Sequence, residues 1–270
     1  MRMKLTVCVG GATGWTGLPL CEKILQAKDL SLFGAVSRKH AGKNLGQILD
    51  QPNVDLVIQE TVEEALKSRP DVYVDFTSAN AVKDHVMTAV QNKVSVVVGS
   101  SGLTDEDYAE IHDNALQKEV GVIACGNFAA TAILLERFAC EAAKFLSHWE
   151  VIDYASAMKP DAPSGMARQL AARLSEIRKP ETPIAIQQTA GMVESRGATL
   201  KGMQIHSIRL PGHVIGMEVL FGEQDERLSL RYDAGASASP YLPGVLAAIR
   251  NVRNYTGLIR GIDHFFPSED

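Results

Sequence analysis

The chain holds 270 residues, enough for one large or two smaller domains with a substantial core. With 46% hydrophobic and 22% charged residues and a net charge of −5, it lacks the basic balance of a nucleic-acid binder. It also lacks any run near the ~18 apolar residues of a membrane span, and Met1-Arg2-Met3-Lys4 leads straight into an apolar run without a signal peptide's profile, which predicts a cytoplasmic protein.

Five short Val-rich runs, at 5–9, 30–36, 72–76, 94–98 and 120–125, read as strands bounded by turn residues. Helical spacing fills the gaps at 17–26, 62–67, 79–91 and 105–117. This alternation predicts an α/β architecture, an N-terminal Rossmann-type parallel sheet with helices on both faces. Beyond Ala124 the grammar changes. An apolar helix over 133–145 is followed by the segment 149–154, a loop, and a helix opening at Ser164. Strands are expected next at 184–189, 203–210, 216–221 and 228–232 with no helix between them, which predicts a mixed or antiparallel sheet in a C-terminal α+β domain. Helical spacing returns at 240–252 and suggests a tail that packs back on the first domain. The expected division is 1–126 with 239–270 for nucleotide binding and 127–238 for substrate binding and oligomerisation. Cys8, Cys21, Cys125 and Cys140 are scattered in apolar segments and form no paired motif, so buried free thiols are expected. Histidines and carboxylates show no metal-ligand spacing, and no metal is expected.

The first turn carries chemistry. Gly11-Ala12-Thr13-Gly14-Trp15-Thr16-Gly17 follows the first strand and opens the first helix. Glycines there give a tight turn, close approach of backbone to a pyrophosphate, and helix–strand packing, with the phosphate on the helix N-terminus. In this context the motif points to a dinucleotide site. An NAD site usually places Asp or Glu about 20 residues further on, to hold the ribose 2′-hydroxyl. Here that stretch is Ser37-Arg38-Lys39-His40, with no carboxylate. A hydroxyl and two cations suit a 2′-phosphate, predicting NADP(H) in preference to NAD(H); a solvated basic loop is the bland alternative. Phe76-Thr77-Ser78 and Gly99-Ser100-Ser101-Gly102 close the third and fourth strands. Strand carboxyl ends are where such sheets bind ligands, so these residues either admit the nicotinamide and its ribose or are ordinary turns.

Lys159-Pro160-Asp161-Ala162-Pro163-Ser164-Gly165-Met166-Ala167 makes the sharpest chemical statement. Ser164 stands at the N-cap position of a helix whose apolar residues repeat at Ala167, Leu170, Ala171, Leu174 and Ile177. A cation approaching a helix start suits a small carboxylic acid; an ordinary capped helix with a solvated lysine is the alternative.

Together these segments resemble bacterial dihydrodipicolinate reductases over essentially the whole chain. The glycine turn, Val74-Asp75-Phe76-Thr77, Gly99-Ser100-Ser101-Gly102, Gly126-Asn127-Phe128, the Lys159–Gly165 segment and Ile205-His206-Ser207-Ile208-Arg209-Leu210-Pro211-Gly212 occur in the family's order. The resemblance implies NADPH-dependent reduction of a small carboxylated cyclic imine, a role in lysine and diaminopimelate biosynthesis, and a homotetramer built by the C-terminal sheet. It assigns Gly11, Gly14 and Gly17 to the dinucleotide turn. Gly99, Ser101 and Phe128, with Asn127 beside it, fall in the nicotinamide and substrate cleft. Lys159 matches the lysine that contacts substrate and assists protonation, Ser164 and Gly165 match the carboxylate-binding pair, and Arg196 matches a position near the substrate.

Departures accompany the match. The family pattern Glu-x-His-His-x-x-Lys is here Asp153-Tyr154-Ala155-Ser156-Ala157-Met158-Lys159, so the acid/base histidine and the substrate-contacting histidine are replaced by Ala155 and Ser156. Ser156 is thus the residue left at a substrate-contact position. Met166 stands for the usual threonine, Ala129 for a serine, and Trp15 for an arginine often found in the glycine turn. The proton that completes imine reduction then falls to Lys159, or to Tyr154 if it turns into the cleft. His206 reads as a structural histidine, and His213 either reaches a neighbouring subunit or faces water. Two other functions fit the same residues: a different imine or carbonyl acid as substrate, or an inactive nucleotide-binding homologue.

Overall fold

The computed structural model describes residues 4–262 and Phe265. The chain divides into two units, Met1–Ala129 with Ala238–Asp270, and Ala130–Ser237. Along the chain the first unit contains β1 (Leu5–Gly10), α1 (Gly17–Gln26), β2 (Leu30–Val36), α2 (Leu45–Ile48) and α3 (Val62–Leu66). It continues with β3 (Val72–Asp75), α4 (Val82–Gln91), β4 (Ser95–Val98), α5 (Asp105–Lys118) and β5 (Gly121–Ala124). The second unit contains α6 (Ala130–Ala142), β6 (His148–Ala155), α7 (Gly165–Ile177), β7 (Ala198–Leu200), β8 (Met203–Arg209), β9 (Ile215–Glu223) and β10 (Glu226–Ala234). The chain then returns to the first unit with α8 (Leu242–Asn251) and β11 (Gly257–Arg260).

The first unit is a parallel sheet in the order β11-β5-β4-β3-β1-β2, its neighbours in continuous register except for β1 and β2, whose pairing shifts between Val7 and Cys8. Every residue of β3, β4 and β5 is buried. That is why these strands read as unbroken Val-rich runs: a parallel sheet covered on both faces has no polar side. α8 is held close because Gly244 leaves room that a Cβ would lose, at 2.1 Å from the Phe128 carbonyl oxygen. Arg250 on Asp29 (2.8 Å) and Arg253 on Asp71 (2.8 Å) tie the returning segment to the same unit.

The second unit is a mixed sheet, β10-β9-β6-β8-β7, in which only β6 and β8 run parallel. β6 alternates cleanly: Trp149, Val151, Asp153 and Ala155 are buried, while His148, Glu150, Ile152 and Tyr154 are half-buried. α6 packs on α7 and β10, and its buried Glu136 accepts from Gln169 (2.9 Å) and Arg173 (3.0 Å).

One expected strand is corrected. Residues 184–189 form a short 3₁₀ turn at Ile186–Gln188, not a strand. Ile184 is 61% exposed, so this apolar run has no buried face to hold it in a sheet, and Pro180 and Pro183 precede it. The sheet edge is filled instead by β7, paired antiparallel with β8.

Candidate functional site

In the first unit the glycine turn is built for close approach. Gly11 has φ +73°, and a Cβ there would sit 2.1 Å from the Phe76 carbonyl oxygen. A Cβ on Gly17 would sit 2.0 Å from the Gly11 carbonyl oxygen, so α1 starts directly against the turn. Thr16 occupies the N-cap without a side-chain cap hydrogen bond, and the first turn has no acidic residue. This cradle and uncapped helix start fit the pyrophosphate of a dinucleotide. Trp15 lies 52% exposed beside the turn, edge-on to Tyr241 at 5.7 Å.

The turn is linked to the end of β2. Thr13 Oγ1 lies 2.7 Å from Ser37 Oγ and 3.0 Å from His40 Nδ1. Arg38 and Lys39 are exposed on the 3₁₀ turn that follows, Arg38–His40. His40, which sequence reasoning left outside the site, therefore joins the hydroxyls and cations already singled out. The ends of β3 and β4 meet through the fully buried Asp75, whose carboxylate accepts from the hydroxyls of Tyr73 (2.7 Å), Thr77 (2.8 Å) and Ser100. Burial works to raise the Asp75 carboxyl, but hydrogen bonds from His85, Ser100, Tyr73 and the Thr77 amide outweigh it and hold it below the ordinary range. Burial first, then Asp75, pushes the Tyr73 phenol well up. Phe76 packs where a Gly99 Cβ would stand, 2.1 Å away, and lies edge-on to the buried Phe128 at 6.1 Å. Asn127 is buried, its side-chain oxygen accepting from the Ala129 amide, while Ser101 is half-exposed.

In the second unit Ser164 caps α7 as expected, its hydroxyl accepting from the Ala167 amide at 3.3 Å. The Ser164 amide donates to Asp153 Oδ2 (2.8 Å), and Arg209 donates to the same oxygen (2.8 Å) and to the Asp161 carbonyl (2.8 Å). A buried ion pair thus fixes the loop that presents the motif, a role the sequence did not assign to Asp153 or Arg209. The signal was available: an aspartate at a core position of a period-2 strand needs a partner. Lys159 Nζ pairs with Asp161 Oδ1 at 2.7 Å, both side chains one-quarter exposed. Ser156 anchors the preceding turn, accepting from the amides of Met158 and Lys159. Gly165 is half-buried at the start of α7.

Other candidates sit elsewhere. Arg196 is held by Glu150, which also pairs with His206 at 2.7 Å. Tyr154 donates to Glu218 (3.0 Å) on the face of β6 opposite Asp153 and Ala155, so its phenol is committed away from the buried Asp153 side. Burial and then that hydrogen bond push this phenol up. Met166 is fully buried, so its thioether meets protein and presents no apolar surface to a ligand. Burial pushes the Cys8 thiol up to about 12, and the buried Cys21 is raised further. Among the described residues no group of His, Cys, Asp or Glu could hold a metal ion, and no helix is long and apolar enough to cross a membrane.

Comparison with known proteins places these features in context. Residues 5–128 match the family described as dihydrodipicolinate reductase, N-terminus, and residues 131–265 match its C-terminus. A 4-hydroxy-tetrahydrodipicolinate reductase of Moorella thermoacetica is 37% identical over 267 residues, covering 98% of each chain. The enzyme of that name from Desulfitobacterium hafniense is 36% identical, covering 97% of this chain and 98% of its own. Among solved structures, the dipicolinate-bound dihydrodipicolinate reductase of Paenisporosarcina sp. TG-14 superposes with a TM-score of 0.72 at 29% identity, covering 97% and 99% of the two chains. A Mycobacterium smegmatis amine dehydrogenase shares the fold at 15% identity, with a TM-score of 0.66 over 100% and 97% of the chains.

Proposed function

The chain belongs to the dihydrodipicolinate reductase family of pyridine-nucleotide oxidoreductases, and from that premise we propose that it is an NADPH-dependent reductase of a small carboxylated cyclic imine, of the 4-hydroxy-tetrahydrodipicolinate kind. The observation that carries the reading is the joint retention of the glycine cradle and of Lys159 beside the Ser164-Gly165 helix start, in a chain related end to end to such reductases. Dipicolinate, bound by the Paenisporosarcina enzyme, is itself a small dicarboxylate.

The glycine turn, with Thr13, Trp15 and Thr16, holds the pyrophosphate, and Ser37, Arg38, Lys39 and His40 receive a 2′-phosphate. Phe76, Thr77, Gly99, Ser101, Asn127 and Phe128 line the nicotinamide end. A bound nicotinamide supplies hydride chemistry. The chain itself supplies charge and a proton. Lys159 neutralises a substrate carboxylate and delivers the proton that the missing histidines would have given, while Asp161 keeps its ammonium in place. Ser156, Ser164 and Gly165 orient the carboxylate, with Arg196 as a second cation once it leaves Glu150. The half-buried face of β6, with Leu220 exposed beside Glu150 on the neighbouring β9, supports burial against further copies in a homotetramer.

The test is the loss of NADPH absorbance with freshly generated 4-hydroxy-tetrahydrodipicolinate, beside an established reductase. Turnover near the control's supports the reading. Tight NADPH binding without turnover favours a second reading, a different imine or carbonyl acid, which the absence of imidazoles at Ala155 and Ser156 already favours.

A further inference from the structure

One aspartate, Asp71, directly precedes β3 and another, Asp75, closes it, and the two are partnered differently. At the amino end, Asp71 Oδ2 accepts from the Thr6 amide (2.9 Å) and hydroxyl (2.7 Å), and Arg253 reaches Oδ1 at 2.8 Å. These contacts join β1, the approach to β3 and the segment after α8, and nothing in them touches the strand ends that carry the glycine turn. At the carboxyl end, Asp75 is fully buried. Its Oδ2 accepts from Tyr73 Oη (2.7 Å) and His85 Nδ1 (3.1 Å), and its Oδ1 from the Thr77 hydroxyl (2.8 Å), the Thr77 amide (3.1 Å) and Ser100. The Thr77 amide also donates to Ser100 Oγ at 2.8 Å.

A buried carboxylate ringed by donors has one low-energy arrangement, because any shift strands a polar group without water. Here the donors are the residues that close β3 and β4. Fixing Thr77 and Ser100 fixes the backbone around Phe76, whose ring lies in the space left by Gly99 and against Phe128. His85 reaches this carboxylate from α4. An ionised aspartate only accepts, so the imidazole carries its proton on Nδ1, which locks the ring's orientation. His85 and Asp75 thus tie α4 to the mouth of the sheet.

We propose that the Asp75–His85 pair is a positioning element for the cofactor: through Thr77, Ser100 and Phe76 it sets the wall of the nicotinamide end of the cleft. The inference rests on the reading of that cleft as the pyridine-nucleotide site. Asp71 provides the internal control, a hydrogen-bonded aspartate just before the same strand, with no contact to the residues that close β3 and β4.

The experiment measures NADPH affinity by equilibrium fluorescence and Tm by calorimetry on the full chain. His85→Ala raises the Kd for NADPH about tenfold or more, the scale of one lost charge-assisted hydrogen bond. His85→Asn, whose amide nitrogen stands about where Nδ1 stood, keeps Kd within about threefold of the parent. Asp75→Asn raises Kd like His85→Ala; if it does not fold, the two His85 variants decide. Thr6→Val lowers Tm but leaves Kd within about threefold. An unchanged Kd in His85→Ala, failure of His85→Asn to restore it, or a Kd that rises with falling Tm in Thr6→Val would each overturn the inference while the cofactor reading stands. A parent chain that binds no pyridine nucleotide removes both.

Discussion

On the proposed reading, the two units meet their ligands with different material. In the first, the backbone does most of the work: glycines at 11 and 17, an uncapped helix start, and strands buried at every residue from β3 to β5. In the second, the side chains proposed to carry the chemistry sit on one loop, held by an ion pair between the buried Asp153 and Arg209. Backbone sites tolerate drift in side-chain identity, so the nucleotide cradle survives intact with Trp15 in place of an arginine. Side-chain sites do not, so on the proposed reading Ala155 and Ser156, where the family resemblance implies histidines, bear directly on the choice of substrate.

The sharpest way to break this comparison is Lys159→Ala. It should lower kcat by about 10²–10⁴-fold, the usual weight of general acid–base catalysis, and leave NADPH affinity unchanged. Steady-state kinetics beside equilibrium cofactor binding check it, and a variant with full turnover would remove Lys159 from the chemistry. Next in size is Arg38→Asp, which should raise the Kd for NADPH by about 10-fold or more and spare NADH, because only the former brings a 2′-phosphate. Equal weakening of both would return Arg38 and Lys39 to the role of a solvated basic turn. The smallest effect concerns acid. Hydrogen bonds hold the Asp71 and Asp75 carboxyls below their ordinary value against the opposing effect of burial. Groups with depressed folded values contribute fully above the unfolded value of about 3.9 and lose that contribution as pH falls through the folded one. Calorimetric Tm should therefore hold steady above about pH 5 and drop below about pH 4. A flat profile there would mean that the donors merely offset burial.

Much of the first unit was legible. Val-rich runs separated by helical spacing became β1 to β5 with α1 and α3 to α5 between them, differing mainly at their ends. The Ser164 cap was legible too, since a hydroxyl three residues before an amide is a local matter. β11 was not: Leu258 and Ile259 are too few to show a period, and pairing with β5 makes them a strand. The failed strand at 184–189 is the converse, β-prone residues with no partner surface.

What the sequence by itself determined, then, is whatever depends on neighbours a few positions apart: most elements of the first unit, the Ser164 cap and the glycine turn. Tertiary structure alone decided which charges are buried and who answers them. Asp75, fully buried, meets His85 and Ser100, and Asp153, fully buried, meets Arg209. The reason is physical. A charge removed from water must find a partner, and which charges are removed is fixed only when distant strands close over them.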